Sequence, residues 1–396
     1  MKGGIYMAIF CAILLLISAL LGNSMKETYQ ADQSLSMYSG GYALTDGETG
    51  RLLEGKEESS PMANASTTKI LTCIVTLERC GLDEIVSISA NAAAQPKVKM
   101  GVEEGEQYPL KDMLYGLMLE SYNDCAVAIA EHVAGSCEAF AQILNEKAKE
   151  IGCMDTYFIT PNGLDAEDEN GFHHTTAEDL CRMMAYCTWE SPKSKEFLEI
   201  TQTRNYDSFV NRNAFLNQME GVLTGKTGFT NKAGYCYVAA LERNGERYCI
   251  ALLACGWPNN KNYKWKDART LLEYGLETYD KKNVEVCVKE QEIPINGFVG
   301  KGLFSQINRD GVLKLKTINK TYNILIAEDE KLEQEIILQT DTRLPINKEQ
   351  TMGVCNIYLD NVLIDSISMV ADEDVYIWGW KEIAYTIFYQ FLTFSL

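Results

Sequence analysis

Residues 222–255 read VLTGKTGFTNKAGYCYVAALERNGERYCIALLAC. Two β-rich runs, Tyr235 to Leu241 and Arg247 to Cys255, flank Asn244-Gly245. That dipeptide accepts the positive φ values of a primed two-residue turn, so the runs form an antiparallel hairpin. Just ahead lies Gly225-Lys226-Thr227-Gly228-Phe229-Thr230. On an edge strand, a Lys and Thr pair can hold a carboxylate by charge and hydrogen bonds, and the Gly lets a substrate backbone approach. A helix is expected after the hairpin, from Asp267 to Tyr279.

Strand texture returns near the other end of the region. Gly41 to Leu44 and Arg51 to Leu53 flank the turn signal Asp46-Gly47. Between the two strand groups lies a helical block. Ser66 to Cys80 carries Ile70, Leu71, Ile74, Val75 and Leu77 at helical spacing, and Gly81 fits its stop. Leu110 to Leu119, Ala126 to Val133 and Phe140 to Ile151 continue the block. Strands at both ends with helices between predict an α+β fold, one antiparallel sheet covered by helices. From Asn283 to Asp372 short β-rich runs alternate with turn residues: Val284 to Val288, Leu313 to Leu315, Tyr322 to Ile326, Ile336 to Leu338, Gly353 to Leu359 and Val362 to Val370. These predict a small all-β module.

The chain has 396 residues, 46% of them hydrophobic, enough for two domains with sizeable cores. Its net charge of −19 argues against a nucleic-acid partner, whose phosphates it would repel. Lys2, the apolar run Ile5 to Leu21, and small residues at Gly22 and Ser24 follow the order of a secretory signal, with an uncleaved N-terminal anchor as the competing reading. Export is therefore expected, to the outer face of the cytoplasmic membrane or the cell-wall space. Most of the 13 Cys lie in apolar patterns and read as buried thiols. With no Cys-x-x-Cys and only His132, His173 and His174, neither a zinc site nor any other cofactor is expected. Val375 to Leu396 is apolar and rich in Trp and Tyr, which prefer the membrane interface. It reads as an amphipathic helix lying among headgroups, with a spanning helix and a helix docked on the β-module as alternatives.

Three short motifs carry the chemistry. Ser66-Thr67-Thr68-Lys69 places a hydroxyl and an amine one helical turn apart. A Lys desolvated beside other cations can lose its proton near neutral pH and act as a base. Taken alone, a Ser opening a helix is more often a plain cap. Ser121-Tyr122-Asn123 follows an apolar helix and can project a hydroxyl and an amide into one cleft, although Ser89-Ala90-Asn91 has the same pattern. Lys226-Thr227-Gly228 completes the set. The order Ser-x-x-Lys, Ser-x-Asn, Lys-Thr-Gly is that of penicillin-binding proteins and class A β-lactamases.

The chain resembles the low-molecular-mass penicillin-binding proteins, the D-alanyl-D-alanine carboxypeptidases. Met100 to Glu106, Ser121-Tyr122-Asn123-Asp124, Thr160-Pro161-Asn162-Gly163-Leu164 and His173 to Leu180 are similar to family segments, as are Asp267 to Leu276 and Arg343 to Val370. The resemblance implies a β-lactamase/transpeptidase-like fold, a C-terminal β-sandwich and a membrane-associated tail. It also implies roles. Ser66 attacks the carbonyl between two terminal D-alanines of a peptidoglycan pentapeptide, and Lys69 is its base. Ser121 helps return the proton, and Asn123 orients the substrate. Lys226 and Thr227 hold the terminal carboxylate beside Gly228. The N–H groups of Ser66 and Phe229 form an oxyanion hole. β-Lactams acylate Ser66. Where many relatives have an Arg beside the closing helix, this chain has Lys264, a point charge. His173 reads as structural.

The organisation expected is a signal peptide or anchor at 1–24, a penicillin-binding carboxypeptidase domain at 34–280, a β-sandwich domain at 283–372 and a membrane-associating helix at 375–396. The alternatives are a β-lactamase-like hydrolase, or an endopeptidase or transpeptidase on the same scaffold. A class A β-lactamase should carry Glu-x-x-Leu-Asn between the second and third motifs, and this chain has none.

Overall fold

The computed structural model describes residues 35–300, 308–316, 318–339, 345–377 and 379–393. The expected signal or anchor, with Arg343-Leu344, Trp378 and Phe394, lies outside them. Five strands form one antiparallel sheet: β1 (Gly41–Asp46), β2 (Leu52–Lys56), β3 (Val222–Thr230), β4 (Gly234–Arg243) and β5 (Glu246–Leu253). Their order is β2-β1-β5-β4-β3, which puts the Lys-Thr-Gly strand at the edge, as the sequence predicts. The β4–β5 turn has φ of 55° at Asn244 and 83° at Gly245, the primed turn read from the dipeptide. The two chain-distant hairpins join through β1 and β5, paired from Gly41↔Leu253 to Asp46↔Tyr248.

Alternation along these strands faces Ala43, Cys249 and Ala251 to the main helical core. At its centre is α1 (Lys69–Arg79), whose Ile70, Leu71, Ile74 and Val75 are fully buried. Beyond a short helix at Ala90–Ala93 come α2 (Leu110–Tyr115), α3 (Asn123–Ala134), α4 (Cys137–Glu150), α5 (Ala177–Ala185) and α6 (Ser194–Gln202). The opposite sheet face, with Leu44 and Tyr248, packs on Gly275 of α7 (Tyr263–Thr278). That helix starts a turn before the expected Asp267. Buried Asp267 accepts from the amides of Tyr38 and Ser39, the Ser39 hydroxyl and the Cys255 thiol, which pins the chain entering β1 to α7.

The all-β region follows directly: β6 (Tyr279–Val288), β7 (Glu292–Gly300), β8 (Asn308–Lys314), β9 (Ile318–Ala327), β10 (Leu332–Leu338), β11 (Thr351–Leu359), β12 (Val362–Val370) and β13 (Tyr376–Ile377). They pair as β6-β9, β8-β7-β13 and β10-β11-β12 around a separate hydrophobic cluster that includes Val288, Ile293, Leu313 and Cys355.

The tail departs from the expectation of one helix over 375–396. Val375 bridges Ile346, and Tyr376–Ile377 pairs with Val299 and Gly300. Only then does α8 (Trp380–Thr393) begin. Its 14 residues reach about 21 Å, short of the roughly 30 Å apolar slab of a bilayer. Among the described residues no helix is long and apolar enough to cross a membrane, so the spanning alternative is not supported. The twelve described cysteines are free thiols, nine of them buried, while Cys80 and Cys137 are half-buried and Cys287 is exposed.

Candidate active site

Ser66 does not open an α-helix. It sits in one turn of 3-10 helix, Ala65–Thr68, and α1 begins only at Lys69. The turn is held under strain, with Ala65 at φ 49°. Several groups fix it. The Thr68 hydroxyl donates to Ala65 O (2.9 Å). His173 Nδ1 accepts from the amides of Ile159 and Thr160, so Nε2 carries the proton and donates to Thr68 Oγ1 at 2.9 Å. Burial drives the His173 pKa down to about 3, so the ring is neutral. Gly163, at φ 80°, passes so close that a Cβ there would lie 1.9 Å from Ala65 O.

Lys69 is completely buried. Its Nζ lies 2.8 Å from Ser66 Oγ, 2.9 Å from Asn123 Oδ1 and 2.8 Å from the carbonyl oxygen of Asn162. Asn123 Nδ2 donates to Pro96 O (3.2 Å), which turns its Oδ1 toward the lysine. Two partners of Nζ are therefore oxygens that only accept, and the third is a hydroxyl. A neutral amine has two N–H bonds for the first two and a lone pair for the hydroxyl proton. Burial, with the charge of Lys226 behind it, pushes the Lys69 pKa well below its usual value.

Ser121 and Asn123 enter through an element the sequence reading did not anticipate. After α2 the chain widens into a π-turn, Gly116–Glu120, and Ser121 follows in the left-handed region at φ 66°. This aims Ser121 at the cleft while Asn123 starts α3. The other Ser-x-Asn, Ser89-Ala90-Asn91, is a helix cap: Ser89 accepts from the Ala92 amide, and both outer side chains bind Glu131. The Asp124 carboxylate accepts from the amides of Met100 and Gly101, at 3.0 and 2.7 Å, and so holds that loop beside the cleft.

From the edge strand, Lys226 Nζ donates to Ser121 Oγ (2.9 Å) and to Thr227 O (2.9 Å). Burial brings its pKa down to about 7. A Cβ at Gly228 would lie 2.9 Å from the Ser66 amide nitrogen and 3.0 Å from Asn64 O. Only a glycine lets β3 lie this close to the Ser66 turn. Phe229, partly exposed, packs at 4.7 Å on Tyr235.

Six of the eight predicted site residues line one cleft of about 480 Å³, and the other two, Lys69 and Lys226, sit buried behind it, bonded to Ser66 and Ser121. The sequence missed several of its walls: Lys97, Glu120, Arg212, Tyr235 and Trp265. Arg212 Nε pairs with buried Glu120 at 2.7 Å while its side chain stays 65% exposed. Lys264 lines the cleft, its Nζ 4.5 Å from the Tyr235 ring centre and 4.7 Å from that of Trp265. Burial lowers its pKa too. Asn64, just before the Ser66 turn, is fully buried.

A hydroxyl bonded to a buried lysine of lowered pKa, beside a second lysine on an edge strand, defines a serine acyl-transfer enzyme of the transpeptidase scaffold. The sequence profile of peptidase family S11, the D-alanyl-D-alanine carboxypeptidases, matches residues 26–254, and the chain belongs to that family. It is 28% identical, over 84% of each chain, to D-alanyl-D-alanine carboxypeptidase DacF of Bacillus subtilis. It is 30% identical to a D-alanyl-D-alanine endopeptidase of Pseudomonas aeruginosa, over 50% of this chain and 66% of that one. In fold it is similar to penicillin-binding protein 5 of Haemophilus influenzae, with a TM-score of 0.66 at 23% identity over 86% of this chain and 98% of the other. The protein is a serine-type D-alanyl-D-alanine carboxypeptidase with a cell-wall function.

Proposed function

We propose that Ser66 carries the acyl-enzyme of this carboxypeptidase. The observation that carries this reading is the partner set of Lys69, which matches a neutral amine poised to accept the Ser66 proton. Ser66 Oγ attacks the carbonyl between the two terminal D-alanines while Lys69 takes its proton. The amides of Ser66 and Phe229 hold the oxyanion. Ser121, next to Lys226, passes a proton to the departing D-alanine amine as the peptide C–N bond breaks. Asn123 orients the substrate, and Lys226 with Thr227 holds its carboxylate next to Gly228. Lys264 adds positive charge at the same end. Water then hydrolyses the ester and frees Ser66. β-Lactams present a similar carbonyl and carboxylate and remain on Ser66 as a stable ester.

The enzyme is read as exported, with a catalytic domain over 34–280 and a β-sandwich domain over 283–372. Their separate hydrophobic clusters support that division. Helix α8 exposes Trp380, Tyr385, Ile387, Phe388 and Leu392. An exposed run of this kind suits a helix lying in the headgroup layer at the outer face of the membrane.

The test is to treat the protein with fluorescent penicillin and, separately, with a pentapeptide ending in D-Ala-D-Ala, alongside Ser66→Ala. Labelling and release of one D-alanine are expected from the parent, and neither from the variant. Labelling that survives in Ser66→Ala would assign the nucleophile elsewhere. Turnover of penicillin without peptide cleavage would make the enzyme a β-lactamase, and cleavage confined to cross-linked peptides an endopeptidase.

A further inference from the structure

We propose that Cys80, Glu84 and His132 form a binding site for a divalent metal of the zinc class, tying together the far ends of the two helices whose near ends carry Lys69 and Asn123. Helix α1 starts at Lys69 and is capped by Cys80; α3 starts at Asn123 and holds His132 in its last turn. The two helices thus leave the cleft side by side and end at the same cluster.

One donor atom from each of the three residues lies within 4.8 Å of the others. His132 Nε2 is 2.9 Å from Glu84 Oε2, and the Cys80 Sγ lies within 4.8 Å of a donor atom of each. The second carboxylate oxygen, Oε1, accepts from the Gly81 amide at 2.6 Å. That bond fixes the carboxylate and leaves Oε2 facing the other two donors, the outer support that ligands of bound metals have. A tetrahedral ion about 2.0–2.3 Å from each donor holds donors roughly 3.3–3.8 Å apart. The cluster needs only side-chain adjustment to reach this, and Glu84 is exposed enough to make it.

Thiol, imidazole and carboxylate together favour zinc and its neighbours over magnesium or calcium, which take oxygen ligands. Both helices also turn their C-terminal, negative ends toward the cluster, which favours a cation. On binding, the thiol loses its proton to solvent, as does Nε2 if it carries one, and the three metal bonds take their place. Glu84 is exposed and Cys80 and His132 are half-buried, so an ion can reach the cluster from solvent. The cluster escapes a motif search because its ligands come from a helix cap, the turn after it and a second helix.

The test uses the full chain, reduced and freed of metal with a chelator, titrated with cobalt(II) and zinc(II). One equivalent is expected per chain, with a thiolate-to-cobalt charge-transfer band, displacement of cobalt by zinc and a higher melting temperature with zinc. Cys80→Ser should remove the band, and Glu84→Gln and His132→Gln, which each remove a direct ligand, should weaken binding by more than the roughly 10–100-fold typical of losing a mere outer-shell partner. Penicillin labelling reports that each variant is folded, and if one fails to fold the other two decide. No saturable equivalent, or a band and affinity that survive Cys80→Ser and His132→Gln, overturns the site.

Discussion

Lys69 and Lys226 share a cleft and need opposite protonation states. On the proposed chemistry Lys69 works neutral and Lys226 works charged. Burial lowers both, Lys69 well below its usual value and Lys226 to about 7. The pH profile of kcat/KM should therefore rise as Lys69 loses its proton and fall as Lys226 loses its own, near 7. Lys226→Arg keeps the cation at every accessible pH, so its profile should lose the falling limb; a limb that stays put would assign it to another group. Lys69→Arg cannot supply a base, and its acylation by penicillin should drop at least about 100-fold, the low end for a positioned acid–base group. His173 makes a separate prediction, on stability. Its folded pKa of about 3 lies below the unfolded 6.5, so the contribution of the neutral ring is complete above 6.5 and is lost as pH falls toward 3. At about 1.4 kcal/mol per pH unit, wild type should lose roughly 3 kcal/mol more than His173→Gln between pH 7 and 4, read from urea midpoints. Equal losses would mean the ring already titrates normally.

At the scale of elements, the site depends on how closely strand β3 lies against the Ser66 turn. Gly228→Ala adds one methyl, and it meets backbone at Ser66 and Asn64. The strand and turn must separate, spoiling the placement of the Ser66 amide. Acylation should fall by roughly 100–1,000-fold, the usual effect of one lost oxyanion donor, in stopped-flow penicillin labelling; unchanged acylation would remove that amide from the chemistry. These elements were unequally legible in the sequence. The β4–β5 hairpin was plain because Asn244-Gly245 admits few conformations, and the edge position of β3 followed from its motif. The π-turn before Ser121 was not, since its apolar residues keep a helical spacing while the backbone widens. Asn162 contributes a backbone carbonyl, and any residue type has one. Arg212 reaches the cleft by a loop with no motif around it. The tail looked uniform because strand β13 is only two residues of an aromatic run.

Across the whole molecule, the first sheet and the all-β region meet through a few specific contacts. Arg51 Nη1 binds Glu330 Oε1 at 2.5 Å and its Nη2 donates to Leu325 O, while the Tyr279 hydroxyl donates to Leu53 O. Both charged side chains are nearly inaccessible, at 6% and 12%. Removing one partner leaves the other charge buried, so Arg51→Ala should cost about 3–5 kcal/mol in a melting or urea experiment, with penicillin labelling of the remaining folded protein intact. The proposed attachment to a membrane surface is tested at the other end of the chain, where the pairing of the tail dictates where to cut. A truncation from Val375 would remove the Val375–Ile346 bridge and strand β13, exposing the edge of β7 and its apolar cluster. A truncation after Ile377 removes α8 and leaves that pairing whole. The shorter protein should keep its melting temperature and penicillin labelling but no longer float with phospholipid vesicles, whereas the full chain should float. Flotation that persists without α8 would place the attachment before residue 378, with the apolar N-terminal run as the segment to remove next.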